Sequence, residues 1–321
     1  MRFEASYIDS HFAHALAGGS NRLGIHSVFE KAINIEINGK LFAVVCSDRP
    51  RYNAASIDPC PFYGFKDLLI SPQGLCTYRD GVLYIHATDL EIVLSFAEKV
   101  ISPYNPGMYA HLVSESGFLR KIGKNIEYIL SYLVQETVET INGYIWQFLD
   151  SLLGSGAKTK RDPKKEFFNL SLLEKVIKNS ESRRVEGILS ALREFIGQGI
   201  GLTPTGDDFL TGFFSVCSLF DIRTFMKEII LEDFRSLCME RTNMISRTFI
   251  ENAIEGNTPW RIGKFIEGLT GSDKEILKDS VDRLLTFGST SGGDSALGVI
   301  LGMHCLGSGN YYRGSNTESI Q

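Results

Sequence analysis

From His26 the chain alternates: Val28, Ala32, Ile33, Ile35 and Ile37 are interrupted by polar residues, and Asn38-Gly39 follows. Asn-Gly between such runs is a strong hairpin signal, so 26–37 and 40–47 are expected to pair antiparallel. Leu75 to Tyr78 and Val82 to His86, turned by Asp80-Gly81, predict a second hairpin. Between them Pro50, Pro59, Pro61 and Pro72 predict a long loop with a short strand around Leu68 to Ile70. Thr88-Asp89 reads as a cap, with Leu90, Val93, Leu94 and Ala97 at the spacing of a short helix. The β character therefore ends near residue 87, in a small curved sheet or partial barrel.

Beyond the break at Ser102-Pro103-Tyr104-Asn105-Pro106-Gly107 the period lengthens. Ile126, Ile129, Leu130, Leu133, Val134, Val138 and Ile141 recur at threes and fours, predicting helix within 115–153. The basic stretch from Gly154 to Lys165 reads as a solvated linker. From Ser171 the pattern predicts helices at 171–179, 183–197, 207–220, about 222–255, 259–268, 273–286 and 294–306, then a polar tail from Gly307. The expected fold class is α+β: a β-rich domain (1–100), a helical connector and linker (101–170) and an all-helical domain (171–321).

That helical domain holds a duplication. Gly201-Leu202-Thr203-Pro204-Thr205-Gly206-Asp207-Asp208-Phe209-Leu210 aligns without gaps with Gly288-Ser289-Thr290-Ser291-Gly292-Gly293-Asp294-Ser295-Ala296-Leu297. Gly201, Thr203, Gly206, Asp207 and Leu210 match Gly288, Thr290, Gly293, Asp294 and Leu297. Thr205 is expected to cap the first helix, with Asp208 closing a reciprocal box. Thr211 and Ser215, opposite Gly298 and Gly302, put small residues on one face of each helix, so that the two can cross closely. Two converging helix N-termini offer N–H donors and positive dipole ends to a phosphate or carboxylate. Gly206, Gly292 and Gly293 would open the backbone to such a ligand. An acid in each loop would repel a simple anion unless it binds a cation or accepts a hydrogen bond from the substrate. The bland alternative is that the acids favour the dipole, the threonines cap and the glycines permit the crossing.

Composition narrows the classes. The 321 residues, 43% hydrophobic and 22% charged with net charge −5, describe a globular protein with no electrostatic reason to bind nucleic acid. The six cysteines have no CxxC or zinc spacing and are expected to be reduced. The N-terminus has no apolar h-region and no apolar run is long enough for a bilayer, which reads as a cytoplasmic protein without membrane attachment. His11 and His14 lack a third ligand, His26 precedes the first strand, and neither a G-x-S-x-G elbow, an HExxH nor a P-loop is present. The polar patch Arg241 to Arg247 could bring Thr242 and Ser246 to the loops, and Arg247 could neutralise an anion or Asp207. No cofactor is expected. A divalent metal on Asp207, Asp208 and Asp294, acting on phosphate esters, is the alternative.

Taken together, Gly24-Ile25-His26-Ser27-Val28-Phe29 with Ala32 and Asn34, the 201–210 stretch, the Ser246 to Gly256 helix and Thr290-Ser291-Gly292-Gly293-Asp294 resemble the AllH-type family, associated with a subunit of oxamate carbamoyltransferase in purine (allantoin) breakdown. The resemblance implies a multi-subunit enzyme moving a carbamoyl group between phosphate and oxamate, with phosphate and oxalurate as degradative substrates. It places the motif on Thr203, Pro204, Thr205, Gly206, Asp207 and Asp208, and on Thr290, Ser291, Gly293 and Asp294. Ser289 stands where a larger polar residue such as His is expected, and the Ser-Thr-Arg-Thr loop of ordinary carbamoyltransferases is absent. The leading reading assigns Asp207 and Asp294 to catalysis. It assigns Thr203, Thr205, Gly206, Asp208, Thr290, Ser291, Gly292, Gly293, His26, Ser246 and Arg247 to a small anionic substrate, in a chain that works with other subunits of the complex. A non-catalytic scaffold is the alternative from a different class.

Overall fold

Asn38 and Gly39 both take positive φ (52° and 77°), as do Asp80 and Gly81 (51° and 78°), so each turn has the backbone twist that a two-residue hairpin needs. They belong to a computed structural model that describes residues 1–18, 23–47, 53–58, 64–68, 70–86, 90–136, 170–222 and 228–308. The chain divides into Met1–Pro103 and Tyr104–Gln321. The expected Thr88-Asp89 cap, the helix beyond residue 136, the basic linker and the tail beyond residue 308 lie outside the described residues.

The first unit is a ten-stranded mixed sheet. Its strands are β1 (Arg2–Glu4), β2 (Tyr7–Asp9), β3 (Leu23–Val28), β4 (Ala32–Ile37), β5 (Lys40–Cys46), β6 (Ala54–Ile57), β7 (Leu75–Arg79), β8 (Val82–Ile85), β9 (Leu90–Val93) and β10 (Glu98–Val100). They lie in the order β1-β9-β8-β7-β3-β4-β5-β6-β2-β10. The N-terminal segment curls this sheet into a half-barrel. Ala5 N–H donates to the Val93 carbonyl beside one edge, while Ser6 N–H donates to the Ser56 carbonyl near the other. Ile33, Ile35 and Ile37 turn inward with period two onto a core shared with Val44, Leu83 and Ile92. Between β2 and β3 runs α1 (Ser10–Ala17), whose first amides, His11 and Phe12, donate to buried Asp9.

Several expectations are corrected in this unit. Residues 26–37 form parts of two strands, because the chain reverses around Glu30 and β3 pairs antiparallel with β4. Phe65–Leu68 forms a 3₁₀ turn where a short strand was expected. The supposed helix from Leu90 is β9 and β10: its short apolar run, Leu90-Glu91-Ile92-Val93, pairs with β8 on one side and β1 on the other. Periodicity alone cannot separate so short a run from a helix face. Cys46 is disulfide-bonded, whereas Cys76, Cys217, Cys238 and Cys305 are free and buried as expected.

The second unit is helical: α2 (Phe118–Glu136), α3 (Leu170–Glu181), α4 (Val185–Phe195), α5 (Thr205–Leu219), α6 (Glu228–Arg241), α7 (Met244–Ile254), α8 (Trp260–Thr270), α9 (Lys274–Leu285) and α10 (Ser291–Ser308). The one helix expected over 222–255 is two, divided where Asn243 accepts from the amides of Ile245 and Ser246. Residues 206 to 219 of α5 are all buried, so this helix forms the centre of the unit. Phe195, Phe209, Phe213, Phe214 and Phe234 run through it as successive ring contacts with centroids 4.5 to 6.2 Å apart.

α5 and α10 cross with their backbones in contact. A Cβ on Gly212 would stand 2.1 Å from the Ser295 carbonyl oxygen, and one on Gly298 would stand 1.9 Å from that of Phe209. The crossing residues are therefore Gly212 with Ser295 and Gly298 with Phe209, in place of the expected Thr211 and Ser215 face. Those two hydroxyls instead donate one turn back, Thr211 to the Asp207 carbonyl and Ser215 to the Thr211 carbonyl.

Ordinary helix propensity favours alanine over glycine, and this crossing should reverse the sign. Gly123→Ala, on an exposed position of α2 with open space around it, is expected to stabilise by about 0.5–1 kcal/mol. Gly298→Ala is expected to destabilise by about 1–3 kcal/mol through overpacking. Urea unfolding of the two variants measures both.

Candidate functional site

The first loop is built from glycines that side-chain-bearing residues could not replace without strain. Gly197, Gly199 and Gly201 have φ of 73°, 107° and 108°, and a Cβ on Gly197 would lie 2.1 Å from the Arg241 carbonyl oxygen. The chain then enters α5 through Pro204, which occupies the N-cap position and accepts from Asp207 N–H at 2.9 Å and Asp208 N–H at 3.2 Å. Thr205 is thus the first helical residue and not the cap. Asp208 closes no box, because a proline cap has no N–H to offer it.

Asp207 ties this loop to the corner between α6 and α7. One carboxylate oxygen accepts from Gly197 N–H at 2.7 Å and the other from the Thr242 hydroxyl. Burial raises its pKa; the Thr242 hydroxyl, the Gly197 amide and the nearby Ser246 hydroxyl pull the other way. Asn243, besides capping α7, donates to the Leu202 carbonyl at 2.8 Å. The polar patch at 241–247 is therefore a helix break whose side chains hold the loop. Thr242 reaches the first loop as its place in the polar patch led us to expect, whereas Asn243 is the structural residue the sequence reading passed over, although Asn ahead of an apolar run is a legible helix start. Arg247 turns to Glu251 at 3.9 Å on its own helix.

The two loops meet. Thr203 Oγ1 and Ser291 Oγ lie 3.0 Å apart, joining residues 88 positions distant in sequence. Behind this bridge sit Asp208 and Asp294, 5% and 2% exposed. One oxygen of each, Oδ2, is buried without a hydrogen-bond partner. Burial, with a smaller push from the Asp207 charge, raises Asp208 to about 7, opposed by the hydroxyls of Ser291 and Thr203. Burial and then the Asp208 charge push Asp294 up to about 7, opposed by the hydroxyls of Thr205 and Thr290. Each acid is thus approached by one hydroxyl from its own loop and one from the other. The gapless alignment sets Asp207 against Asp294, whereas in space it is Asp208 whose charge acts on Asp294.

The helix N-termini are less open than their sequence suggests. Gly206 N–H donates to the Gln198 carbonyl, Gly292 N–H to that of Phe287 and Asp294 N–H to that of Thr290, each at 2.9 to 3.0 Å. A Cβ on Gly206 would stand 1.9 Å from the Phe195 carbonyl oxygen, and one on Gly292 would stand 2.0 Å from that of Leu284. These glycines admit the chain's own backbone where a ligand was expected. Gly293 is buried.

His26 lies in the N-terminal unit, on β3, at the register shift between Ile25 and Ser27. It is half-buried, with Nδ1 3.1 Å from Ser27 Oγ, which also accepts from Asn34 Nδ2 at 3.0 Å. His11 pairs loosely with the Asp9 cap at 3.5 Å. Among the described residues no three His, Cys, Asp or Glu side chains are grouped to hold a metal ion. Asp207, the third acid of the metal alternative, accepts from Gly197 and Thr242. No described helix is long and apolar enough to cross a membrane.

What this arrangement offers is two buried carboxyl groups, Asp208 and Asp294, among four hydroxyls. With both raised to about 7, each is partly protonated near neutral pH and can present an O–H donor as well as a carboxylate acceptor. No solved structure matches the chain. Both loops and the α6–α7 corner fall within residues 195–303, the segment that matches the family model described as oxamate carbamoyltransferase subunit AllH, which is the family that the sequence resembles.

Proposed function

We propose that the chain is a subunit of an oxamate carbamoyltransferase complex acting in purine (allantoin) breakdown in the cytoplasm, and that it holds the amide end of a small anionic substrate at Asp208 and Asp294. The observation that carries this reading is the pair of buried carboxyl groups, each with an unpartnered oxygen, behind the Thr203–Ser291 bridge. A carbamoyl or oxamate group presents N–H donors and a C=O acceptor side by side. A half-protonated acid pair is the complement: the carboxylate accepts from N–H and the carboxylic acid donates to C=O. The charge of the ionised member turns the carboxylate end of the substrate away. Thr203, Thr205, Thr290 and Ser291 line the acids and fix their orientation. Asp207 acts one step removed, as the positioning residue that holds the first loop.

In the degradative direction an oxygen of phosphate bonds to the carbamoyl carbon of oxalurate while the C–N bond to oxamate breaks. The protonated member of the pair is placed to give its proton to the departing nitrogen and to recover one from the incoming phosphate, so that the pair ends as it began.

The scaffold reading is favoured by one observation, the filling of the Gly206 and Gly292 faces by backbone carbonyls. Under that reading Asp294→Asn leaves the activity of the reconstituted complex intact. Under ours, calorimetry on the assembled complex shows binding of oxamate or carbamoyl phosphate that Asp294→Asn abolishes. Thr203→Val with Ser291→Ala weakens it about tenfold, the scale of one or two lost hydrogen bonds.

The pair also sets a pH signature. Both folded-state pKa values stand near 7, above the ordinary carboxylate range, so their contribution to stability is full below about pH 4 and is lost as pH rises through about 7. Asp294→Asn removes the charge that must be buried. It should raise Tm above the wild type at pH 8.5 and give no such gain at pH 5, in parallel thermal melts.

A further inference from the structure

One polar cluster of the first unit takes no part in the proposed function. At the register shift of β3, Ile25 stands opposite Ile35 and Ser27 opposite Asn34, so that two residues, His26 and Ser27, face one residue of β4. An extra residue of this kind breaks the alternation of sides and re-aims the side chains around it. The alternation is otherwise regular: Leu23 and Ile25 of β3 are buried in the core, as are Ile33 and Ile35 of β4. Asn34 therefore lies on the opposite, outer face, and the bulge brings two consecutive side chains to it. His26 Nδ1 is 3.1 Å from Ser27 Oγ, and Asn34 Nδ2 donates to the same oxygen at 3.0 Å. All three residues are half-buried. Gly24, two residues before His26, has open space where a side chain would stand. On its β7 side β3 is bonded as far as Ile25, which donates to the Gly74 carbonyl and accepts from Gln73 N–H, and the bulge follows at once.

The order of these hydrogen bonds carries the chemistry. An amide nitrogen only donates, so Asn34 occupies a lone pair of the Ser27 oxygen and leaves the hydroxyl hydrogen for another acceptor. His26 Nδ1 is such an acceptor in the tautomer whose proton is on Nε2. We infer that Ser27 is a nucleophile with His26 as its general base and Asn34 as its positioning residue, in a site that takes a small acyl or carbamoyl ester through the open space at Gly24. A serine hydroxyl attacks readily only when a base takes its proton, and hydroxyl, imidazole and an orienting group in hydrogen-bond reach supply that arrangement. Ser27 Oγ bonds to the carbonyl carbon while its proton passes to His26 Nδ1. The bond from that carbon to the leaving alcohol breaks, and the alcohol takes the proton from His26. Water then adds to the acyl-serine, giving a proton to His26, which returns it to Ser27 Oγ as the serine ester bond breaks. Glu36, half-buried and directly opposite Gly24 on β4, sets an acid on the same face and favours neutral esters over anionic ones. The inference rests on the first unit alone and is independent of the acid pair.

The test treats the full-length chain at pH 8 with an uncharged fluorophosphonate, which a nucleophilic serine displaces fluoride from, and locates the adduct by peptide mass spectrometry. Ser27 should carry the label. His26→Gln should slow labelling about a hundredfold or more, the scale of a lost general base. Asn34→Ala should slow it at unchanged melting temperature, and Asn34→Gln, which keeps an N–H donor, should recover part of the rate. With p-nitrophenyl acetate the wild type should release nitrophenolate faster than Ser27→Ala does. A wild-type chain left unlabelled at Ser27 overturns the inference whatever the variants do. Labelling that His26→Gln leaves unchanged, or nitrophenolate release equal to that of Ser27→Ala, overturns it as well.

Discussion

The near-contact of α5 and α10 governs everything else in the helical unit. Glycines at 212 and 298 remove the side chains that would hold two helices 8–10 Å apart, so peptide groups of one helix rest on those of the other. A helix pair locked that closely has little freedom to slide. Its two N-terminal turns are therefore fixed relative to each other, and the Thr203–Ser291 contact becomes a property of the packing as much as of the loops. The aromatic series from Phe195 to Phe234 fills the space beside α5 and completes its burial.

The same arrangement explains how two carboxyl groups come to be buried together. Burial of Asp208 and Asp294 among hydroxyls, with an oxygen of each left unpaired, opposes folding at neutral pH. A buried group of this kind is tolerated where the surrounding core is strong enough to carry the cost, and such strain concentrates where chemistry is done. The hydroxyls offset part of the cost by donating to whichever acid is ionised. Asp207, one residue away, illustrates the contrast: with both of its oxygens engaged by Gly197 and Thr242 it acts as a structural tie.

Much of this was legible in the sequence. The α+β division, both two-residue hairpins and the existence of the paired loop-helix units follow from periodicity and turn chemistry. The two loops do come together. The failures have local causes. Leu90-Glu91-Ile92-Val93 is too short for period to decide between strand and helix, and its partners, β1 and β8, lie far apart in sequence. The helix break at Asn243 was missed because the polar patch from Arg241 to Arg247 was read as part of one continuous helix. The pairing of Asp208 with Asp294 could not be read from an alignment that matches Asp207 to Asp294, since sequence register along two crossing helices does not report which side chains share a face. Gly206 and Gly292 were read as openings for a ligand because sequence shows only that a side chain is missing, not what fills its place.

The tie between Asp207 and Thr242 makes a sequence-distant corner part of the loop's foundation. Gly197, Thr242 and Asn243 clamp the first loop at its entry and near its apex, and Arg261 of α8 reaches the entry of the second, donating to the Arg283 carbonyl and the Thr286 hydroxyl. Each half of the duplication is thus anchored by a different neighbouring element. A displacement of the α6–α7 corner would tilt the wall that carries Asp208 against the wall that carries Asp294, so the spacing of the two acids depends on a corner remote from both in sequence.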